Sequence, residues 1–347
     1  MKVLFLTYPR IGLNRGGLQV QIEETTKGLA QLGIEVIRYD PWQNQIPDVD
    51  ICHIFSIDGA LVHHVMRAVS VGAPVVVSPV LNLFGTRPML TMIKRQLSAL
   101  PGLYSDLRRA GKMLSAATKI VALNEDEREL LEKVFKVEAA KCCVIPNGIN
   151  MSFSDGNPRI FEQAYGVTKF VLNVASIEPR KNQLTLIRAM KGLSHTLVLV
   201  GKASHENEKY LDECKAEAGG NVRFVGALKH DDPMLAACYR AAKLFVMPSF
   251  SEVMPLTLYE AAVAGCRLLV SDQVPVAESL VPLISRCSPK NVETLSRLID
   301  LEMREVKTDA IRQAMTAMPT WNGVCSQLRR IYLEVCAPIS HAGKASR

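Results

Sequence analysis

Short all-apolar runs recur along the chain, each ending in a Gly, Pro or Asx break and followed by a segment with helical spacing. In the first half the runs fall at residues 2–7, 34–39, 50–55, 74–79 and 119–123; in the second they fall at 170–175, 195–200, 221–226, 244–247 and 267–271. Each is strand-length, and most show no alternation of polar and apolar positions, which is the pattern of strands buried on both faces of a parallel sheet. Between them, Leu18, Ile22 and Leu29 recur at helical spacing, as do Leu184, Ile187 and Met190, then Leu235, Tyr239, Ala241 and Ala242. Val324, Leu328, Ile331, Tyr332 and Val335 mark a last helix after Pro319 and Trp321. Strand and helix alternate throughout, so the fold class is α/β. The turn-forming run Asp155, Gly156, Asn157, Pro158 reads as a linker between two series of such units. The expected organisation is a first domain over 1–153, a second over 154–320, a terminal helix over 321–336 and a small, polar, disordered tail over 337–347.

A chain of 347 residues that is 48% hydrophobic can bury two ordinary cores. The start, MKVLFLTYPR, has no long apolar h-region or small-residue cleavage site, and no run of 18 apolar residues occurs. A cytoplasmic protein is expected. The nine cysteines include no C-x-x-C, so they read as reduced core residues rather than a zinc site or disulfide frame. A net charge of +7 suits an anionic ligand or surface. Lysines and arginines are mostly interleaved with acids, without aromatic platforms or a nucleic-acid motif, and nucleic acid is not an expected partner. Residues 87–112 are the exception, with six basic residues against one acid among Met, Leu and Ile. That segment reads either as a solvated helix face or as a contact with an anionic membrane.

The chemistry concentrates in residues 245–272, which read as strand, polar loop, helix, Gly turn and strand. Pro255 suits the first helical turn, so Glu252 falls in the loop and Glu260 inside the helix. In a parallel sheet the loop at a strand's carboxyl end opens the binding crevice, and the next helix offers unpaired N–H groups with partial positive charge. Phosphate suits that helix start, while the two carboxylates can accept from hydroxyls flanking a diphosphate. Arg180 and Lys181, in a loop opening the helix after residues 170–175, face the same crevice. Gly16 and Gly17 open the first helix, either as a tight turn or as a second set of amides facing the cleft. His53 stands in the run at residues 50–55, either packed or pointing into the cleft.

Ser251, Glu252, Pro255, Leu258, Glu260 and Ala261 resemble the S-E-G-x-P-x-x-L-x-E-A signature of retaining glycosyltransferases with two Rossmann-like domains, the GT-B fold, family four. Other segments are similar to the same family: Asp50, Ile51, Cys52, His53 to its D-V-V-H; Asn124 and Glu127 to the capping pair of V-A-V-S-E-x-E-R; residues 143–149, CVIPNGI, to V-I-P-N-G-V; and residues 177–182, IEPRKN, to a known variant of its phosphate loop. Three departures stand out. Val253 replaces the family glycine, Ser176 replaces a common arginine, and the histidine many relatives carry after the strand at 74–79 is missing, leaving Asn82 or His53 in its place.

The resemblance implies two Rossmann-like domains facing a central cleft, with the C-terminal helix crossing back onto the first. It implies a nucleoside diphosphate hexose donor, mannosyl or rhamnosyl favoured, and a saccharide or lipid-linked acceptor hydroxyl, as in bacterial surface polysaccharide synthesis. It also implies retention of configuration by front-face attack, with no metal or other cofactor. Lys181, Arg180, Glu252 and His53 are then the catalytic candidates. Gly16, Gly17, Ser176, Gly201, Lys202, Leu228, Val253, Met254, Pro255, Leu256 and Glu260 are the donor-binding ones, Leu228 in the loop that meets the base. A sugar-nucleotide epimerase, a phosphorylase or a catalytically silent nucleotide-sugar scaffold are the alternative classes.

Overall fold

The computed structural model describes residues 1–12, 16–40, 42, 46–81 and 105–337. The first half contains β1 (Lys2–Thr7), α1 (Gly17–Gln31), β2 (Glu35–Arg38), β3 (Ile51–Phe55), α2 (Val62–Ser70), β4 (Val75–Ser78), α3 (Asp106–Ala116), β5 (Lys119–Ala122), α4 (Glu125–Phe135) and β6 (Cys142–Val144). The second half begins with α5 (Pro158–Tyr165), β7 (Val171–Val174), α6 (Gln183–Ala189), β8 (Leu197–Val200), α7 (Glu208–Glu217) and β9 (Val222–Gly226). It continues with α8 (Pro233–Ala241), β10 (Leu244–Met247), α9 (Leu256–Val263), β11 (Arg267–Ser271), β12 (Ser285–Cys287), α10 (Val292–Arg304), α11 (Ala310–Ala314) and α12 (Trp321–Cys336).

Two six-stranded sheets result, ordered β2-β1-β3-β4-β5-β6 and β12-β11-β10-β7-β8-β9. Every pairing in them is parallel. Each sheet separates two apolar layers, which is why strands such as β4 and β8 are buried at every position. In the second sheet the chain runs outward from β7 through β8 to β9, then returns to β10 on the other side of β7. The strand order reverses between β7 and β10, and a crevice opens where the loops at their carboxyl ends part.

The expected domain boundary shifts slightly. Ile149 and Phe153 pack with Phe161, Phe170 and Tyr239 in the core of the second domain, so the chain changes domain before Ile149 rather than after residue 153. It returns beside itself: Ile149 N–H donates to the Pro319 carbonyl at 2.9 Å, and Ile149 forms a parallel bridge with Thr320. Gly148 is required there because a Cβ would come within 2.5 Å of the Trp321 backbone. Thr320 caps α12, its Oγ1 accepting from Gly323 N–H. The helix then lies on α1, with the Cys325 thiol donating to the Thr25 carbonyl at 3.6 Å. Trp321, Val324, Leu328 and Tyr332 join Phe5, Ile22, Leu29 and Phe55 in the first domain's core. Burying each such side chain stabilises by roughly 1.5–3 kcal/mol, so α12 is an integral layer of that domain, as expected.

All nine cysteines are free thiols. Among the described residues no helix is long and apolar enough to cross a membrane. Asn82, residues 87–104 and residues 338–347 lie outside the described residues, so the expectations placed on them go no further here. Of the basic segment, α3 is described. Its Arg108, Arg109 and Lys112 are exposed, whereas Ala110, Met113 and Leu114 are buried in the first domain's core. The apolar residues interleaved in that helix are therefore spent on the core and are not a lipid-facing stripe.

Candidate functional site at the sheet crevice

The loops leaving β7 and β10 are bonded into one unit. After β7 the chain makes a single 3-10 turn, Pro179–Lys181, and Asn182 adopts the left-handed conformation at φ 60° before α6 begins. Asparagine tolerates that conformation. Its buried side-chain amide donates to the carbonyls of Pro248 at 3.1 Å and Pro289 at 2.7 Å. Phe250 N–H donates to the Arg180 carbonyl at 2.9 Å.

On this frame the two sequence-predicted cations meet the first glutamate. Lys181 Nζ donates to Glu252 Oε1 at 2.6 Å, and Arg180 Nη1 donates to Glu252 Oε2 at 3.1 Å. Arg180 also donates through Nη1 to the Ser251 carbonyl at 2.8 Å and through Nη2 to Glu178 at 2.6 Å. The Glu252 side chain is only 7% exposed. Burial favours its neutral form, but Lys181 and Arg180 outweigh burial and hold the carboxyl below its ordinary range. Burial also pulls the Lys181 ammonium below its ordinary value, although Glu252 supports its charge. Arg180 has thus committed donors to three acceptors, whereas Lys181 has one of its three N–H groups on Glu252. Each therefore keeps two N–H groups for a phosphate, but the Arg180 guanidinium is held in place by three bonds and the Lys181 ammonium by one.

Glu260, one turn inside α9, is the second carboxylate, and it is buried. Its Oε2 accepts from Tyr239 Oη–H at 2.8 Å, and its Oε1 lies 3.0 Å from His230 Nε2. Burial opposes a positive charge on His230, yet the hydrogen bond and charge of Glu260 prevail and raise its pKa above the ordinary value. Phe153 meets the same ring edge-on at 5.4 Å. A carboxylate has about four lone-pair directions, so Glu260 keeps room for further donors. Pro255 is the N-cap of α9 rather than its first residue, and Leu256 opens the helix. Gly201, at φ 152°, has a structural reason of its own, since a Cβ would sit 1.8 Å from the Ala175 carbonyl oxygen. Ser176 uses its carbonyl on Gln183 Nε2 at 2.8 Å. Lys202 is exposed at the rim, its carbonyl accepting from Ile177 N–H at 3.0 Å, and Leu228 is half-buried.

The first domain closes the other wall. Gly16 caps α1 and is exposed, and a Cβ on Gly17 would lie 4.0 Å from Leu256 Cδ1. The N-termini of α1 and α9 therefore face one another across the cleft. Asn124 Nδ2 donates to the Val253 carbonyl at 2.6 Å, and Asn147 N–H lies 3.0 Å from Met254 Sδ. Four sequence-predicted donor positions, Val253, Met254, Pro255 and Leu256, thus lie along the seam.

His53 is not in the cleft. Strand β3 continues to Phe55, which puts His53 in mid-strand and fully buried. Its Nδ1 lies 2.6 Å from Tyr332 Oη and its Nε2 lies 2.9 Å from Ser78 Oγ. Burial drives its pKa down to about 3, so the ring stays neutral. The small space it borders, about 10 Å³ shared with Gln21, Thr25 and Asn147, has room for about one water. His53 is a satisfied core histidine joining the first sheet to α12. Sequence reading missed His230 and Asn124 Nδ2 as site residues; a histidine in the expected base-side loop was the available signal for the first.

Residues 159–314 match the family model described as glycosyl transferases group 1. The chain is 30% identical over 161 residues to a serotype-specific mannosyltransferase, WbdA, of Escherichia coli, covering 42% of this chain and 20% of the relative. It is 24% identical over 255 residues to an uncharacterized glycosyltransferase of Methanocaldococcus jannaschii, covering 67% of this chain and 65% of that protein. The chain thus spans about a fifth of the length of the first relative and under two thirds of the second. Among solved structures, sucrose-phosphate synthase from Thermosynechococcus elongatus superposes with a TM-score of 0.77 at 16% identity, over 96% of this chain and 98% of that one. Anabaena HepE, solved in complex with UDP-glucose, gives 0.72 at 15% identity, over 96% and 100%. Residues 159–314 thus match the group 1 glycosyltransferase family, and the chain, with its two parallel sheets, has the GT-B fold of these structures.

Proposed function

We propose that the protein transfers a hexosyl group, with retention of configuration, from a nucleoside diphosphate sugar to a hydroxyl of a saccharide or lipid-linked glycan in bacterial surface polysaccharide synthesis. One observation carries this reading: the α1 and α9 N-termini face each other beside Lys181, with Glu252 and Glu260 spaced along the same wall. Facing helix termini and an ammonium suit a diphosphate. Its charge is met by these groups and needs no metal ion. Glu260 accepts the ribose hydroxyls. As the sugar departs, the leaving phosphate takes the proton of the incoming hydroxyl on the same face, and Lys181 stabilises the charge growing on the bridging oxygen. Mannosyl transfer is favoured because the Escherichia coli relative is named a mannosyltransferase. A panel of UDP-, GDP- and dTDP-hexoses with saccharide acceptors, followed by NMR of the products, tests this. A glycosidic product is expected; free epimer or binding without turnover would sink the proposal.

Two further outcomes belong to this reading. Glu260→Gln should weaken nucleoside diphosphate binding by ~1 to 2 kcal/mol, the scale of a charge-assisted hydrogen bond. Calorimetry returning wild-type affinity would remove Glu260 from the ribose. Contact with an anionic membrane, if made through α3, is electrostatic, because its exposed residues are Arg108, Arg109 and Lys112 with Asp106 and Ser115, and its apolar ones pack inward. Neutralising Arg108, Arg109 and Lys112 together should lower sedimentation with anionic liposomes at low salt by roughly 1 kcal/mol per charge at most. A wild type that ignores such liposomes would leave α3 an ordinary surface helix.

A further inference from the structure

At the carboxyl edge of the first sheet, the N-terminus of α4 carries a carboxylate that capping alone does not explain. Asn124 caps the helix, its Oδ1 accepting from Glu127 N–H at 2.8 Å. In a capping box the Glu127 side chain would return to the Asn124 N–H. Instead Oε2 accepts from Leu123 N–H at 2.7 Å, and Oε1 accepts from Leu81 N–H at 2.6 Å, in the turn that follows β4. Glu127 is 3% exposed, and among the described residues no cation is bonded to it. Next to Leu81, Val80 stands at φ 48°, a conformation that a β-branched side chain adopts only under constraint. From the same helix start, Asn124 Nδ2 reaches across the cleft to the Val253 carbonyl at 2.6 Å. Val253 adjoins Glu252, the carboxylate on which Lys181 and Arg180 converge.

We propose that Glu127 is a positioning residue for transfer: its carboxylate clamps the strained turn after β4 to the end of β5, and so holds Asn124 against the Val253 carbonyl and fixes the Glu252 loop. The role in transfer rests on the proposed function; the clamp does not. Two costs meet at this point: a buried carboxylate with no cation bonded to it among the described residues, and a β-branched residue in the left-handed region. Such costs gather where geometry serves a site rather than stability.

The clamp is sensitive to pH. Burial raises Glu127 to about 7, against the opposing bonds from Leu123 and Leu81. Among the described residues the titratable group that senses its charge is Cys142 on β6, whose thiol burial pushes up to about 12, so that it stays neutral. Because the folded pKa is raised above the ordinary 4.5, the contribution of Glu127 to stability is fully present below 4.5 and is lost as pH rises through about 7. The two-acceptor clamp exists only above that point, where the carboxylate costs stability. A merely structural glutamate would show no such opposition between stability and activity.

The test uses the full chain. Hydrogen exchange, corrected for intrinsic rates, should show the 80–81 and 251–254 segments protected at pH 8 and about tenfold less protected at pH 6. Glu127→Gln should lack that protection at both pH values, while melting no lower than wild type at pH 8. Asn124→Ala should expose the 251–254 segment together with the first turn of α4, whose cap it also removes, and leave 80–81 protected at pH 8. Where the donor panel yields transfer, kcat of the wild type should rise through pH 7. Glu127→Gln should flatten that rise and lower kcat at pH 8 by about 10- to 100-fold, the scale of a misplaced catalytic group, with donor KM changed less than about threefold. Wild-type protection of 251–254 in Glu127→Gln would overturn the clamp, and an unaltered pH limb of kcat would overturn its role in transfer. If the wild type transfers no sugar, the proposed function fails, and the exchange result still decides whether Glu127 holds the Val253 loop.

Discussion

Replacing Lys181 by Met should lower kcat by 10²- to 10³-fold, the typical cost of removing one donor aimed at developing charge. The ammonium donates to Glu252 at 2.6 Å and keeps two N–H groups for the leaving diphosphate. Negative charge on the bridging oxygen is greater in the transition state than in the bound donor, so the loss should fall on kcat more than on donor Kd. Arg180→Met should cost less in kcat, because its guanidinium is already committed to Ser251, Glu252 and Glu178. Steady-state kinetics with donor Kd from calorimetry decide the matter. A Lys181→Met protein with wild-type kcat and weakened donor affinity would leave Lys181 a phosphate anchor without a transition-state role.

Gly201→Ala should be the most destabilising single methyl addition in the second domain, costing at least ~3 kcal/mol in urea or thermal unfolding. A Cβ there meets a backbone carbonyl, that of Ala175, at 1.8 Å, and φ 152° lies in a region open only to glycine. No rotamer can relieve a clash with backbone. The Gly201 amide is also tied to the Gly226 carbonyl at 2.8 Å, and Ala175 N–H to the Val200 carbonyl at 3.0 Å, so relief must displace the ends of β7, β8 and β9 together. Donor binding should fall with stability. An Ala variant within 1 kcal/mol of wild type would show that this edge can slide, against the close packing of the strands.

The central strands were legible because strands such as β4, β8 and β10 are buried on both faces and appear in the sequence as apolar runs, whereas the short edge strand β12, SRC, carries no such signal; helices were legible from apolar spacing and the Asn124 cap. The pairing of Lys181 and Arg180 with Glu252 was half legible. Motif and topology place them in one crevice, but that Arg180 is spent on Glu178 and Ser251 depends on side-chain directions no spacing encodes. His53 shows the limit most clearly. Its apolar neighbours place it on a strand, but whether it ends that strand or sits inside it depends on Tyr332, 279 residues away. Glu127 is similar: position three after an N-cap predicts a local bond, and the structure sends the carboxylate to Leu81, 46 residues earlier.

The paired crossing at Ile149 and Thr320 has a mechanical consequence. Two segments joined side by side, one leaving the first domain and one returning, bend as a single ribbon, and the Trp321 backbone packed on Gly148 removes the space for them to slide past each other. Separation of the domains is thereby reduced to a swing about one edge. Among the described residues, the contacts that part in such a swing include the hydrogen bonds of Asn124 to Val253 and Asn147 to Met254 and the apolar packing of Leu256 on the first domain. On the proposed function, a bulky acceptor would enter from the side opposite that edge instead of threading between two walls.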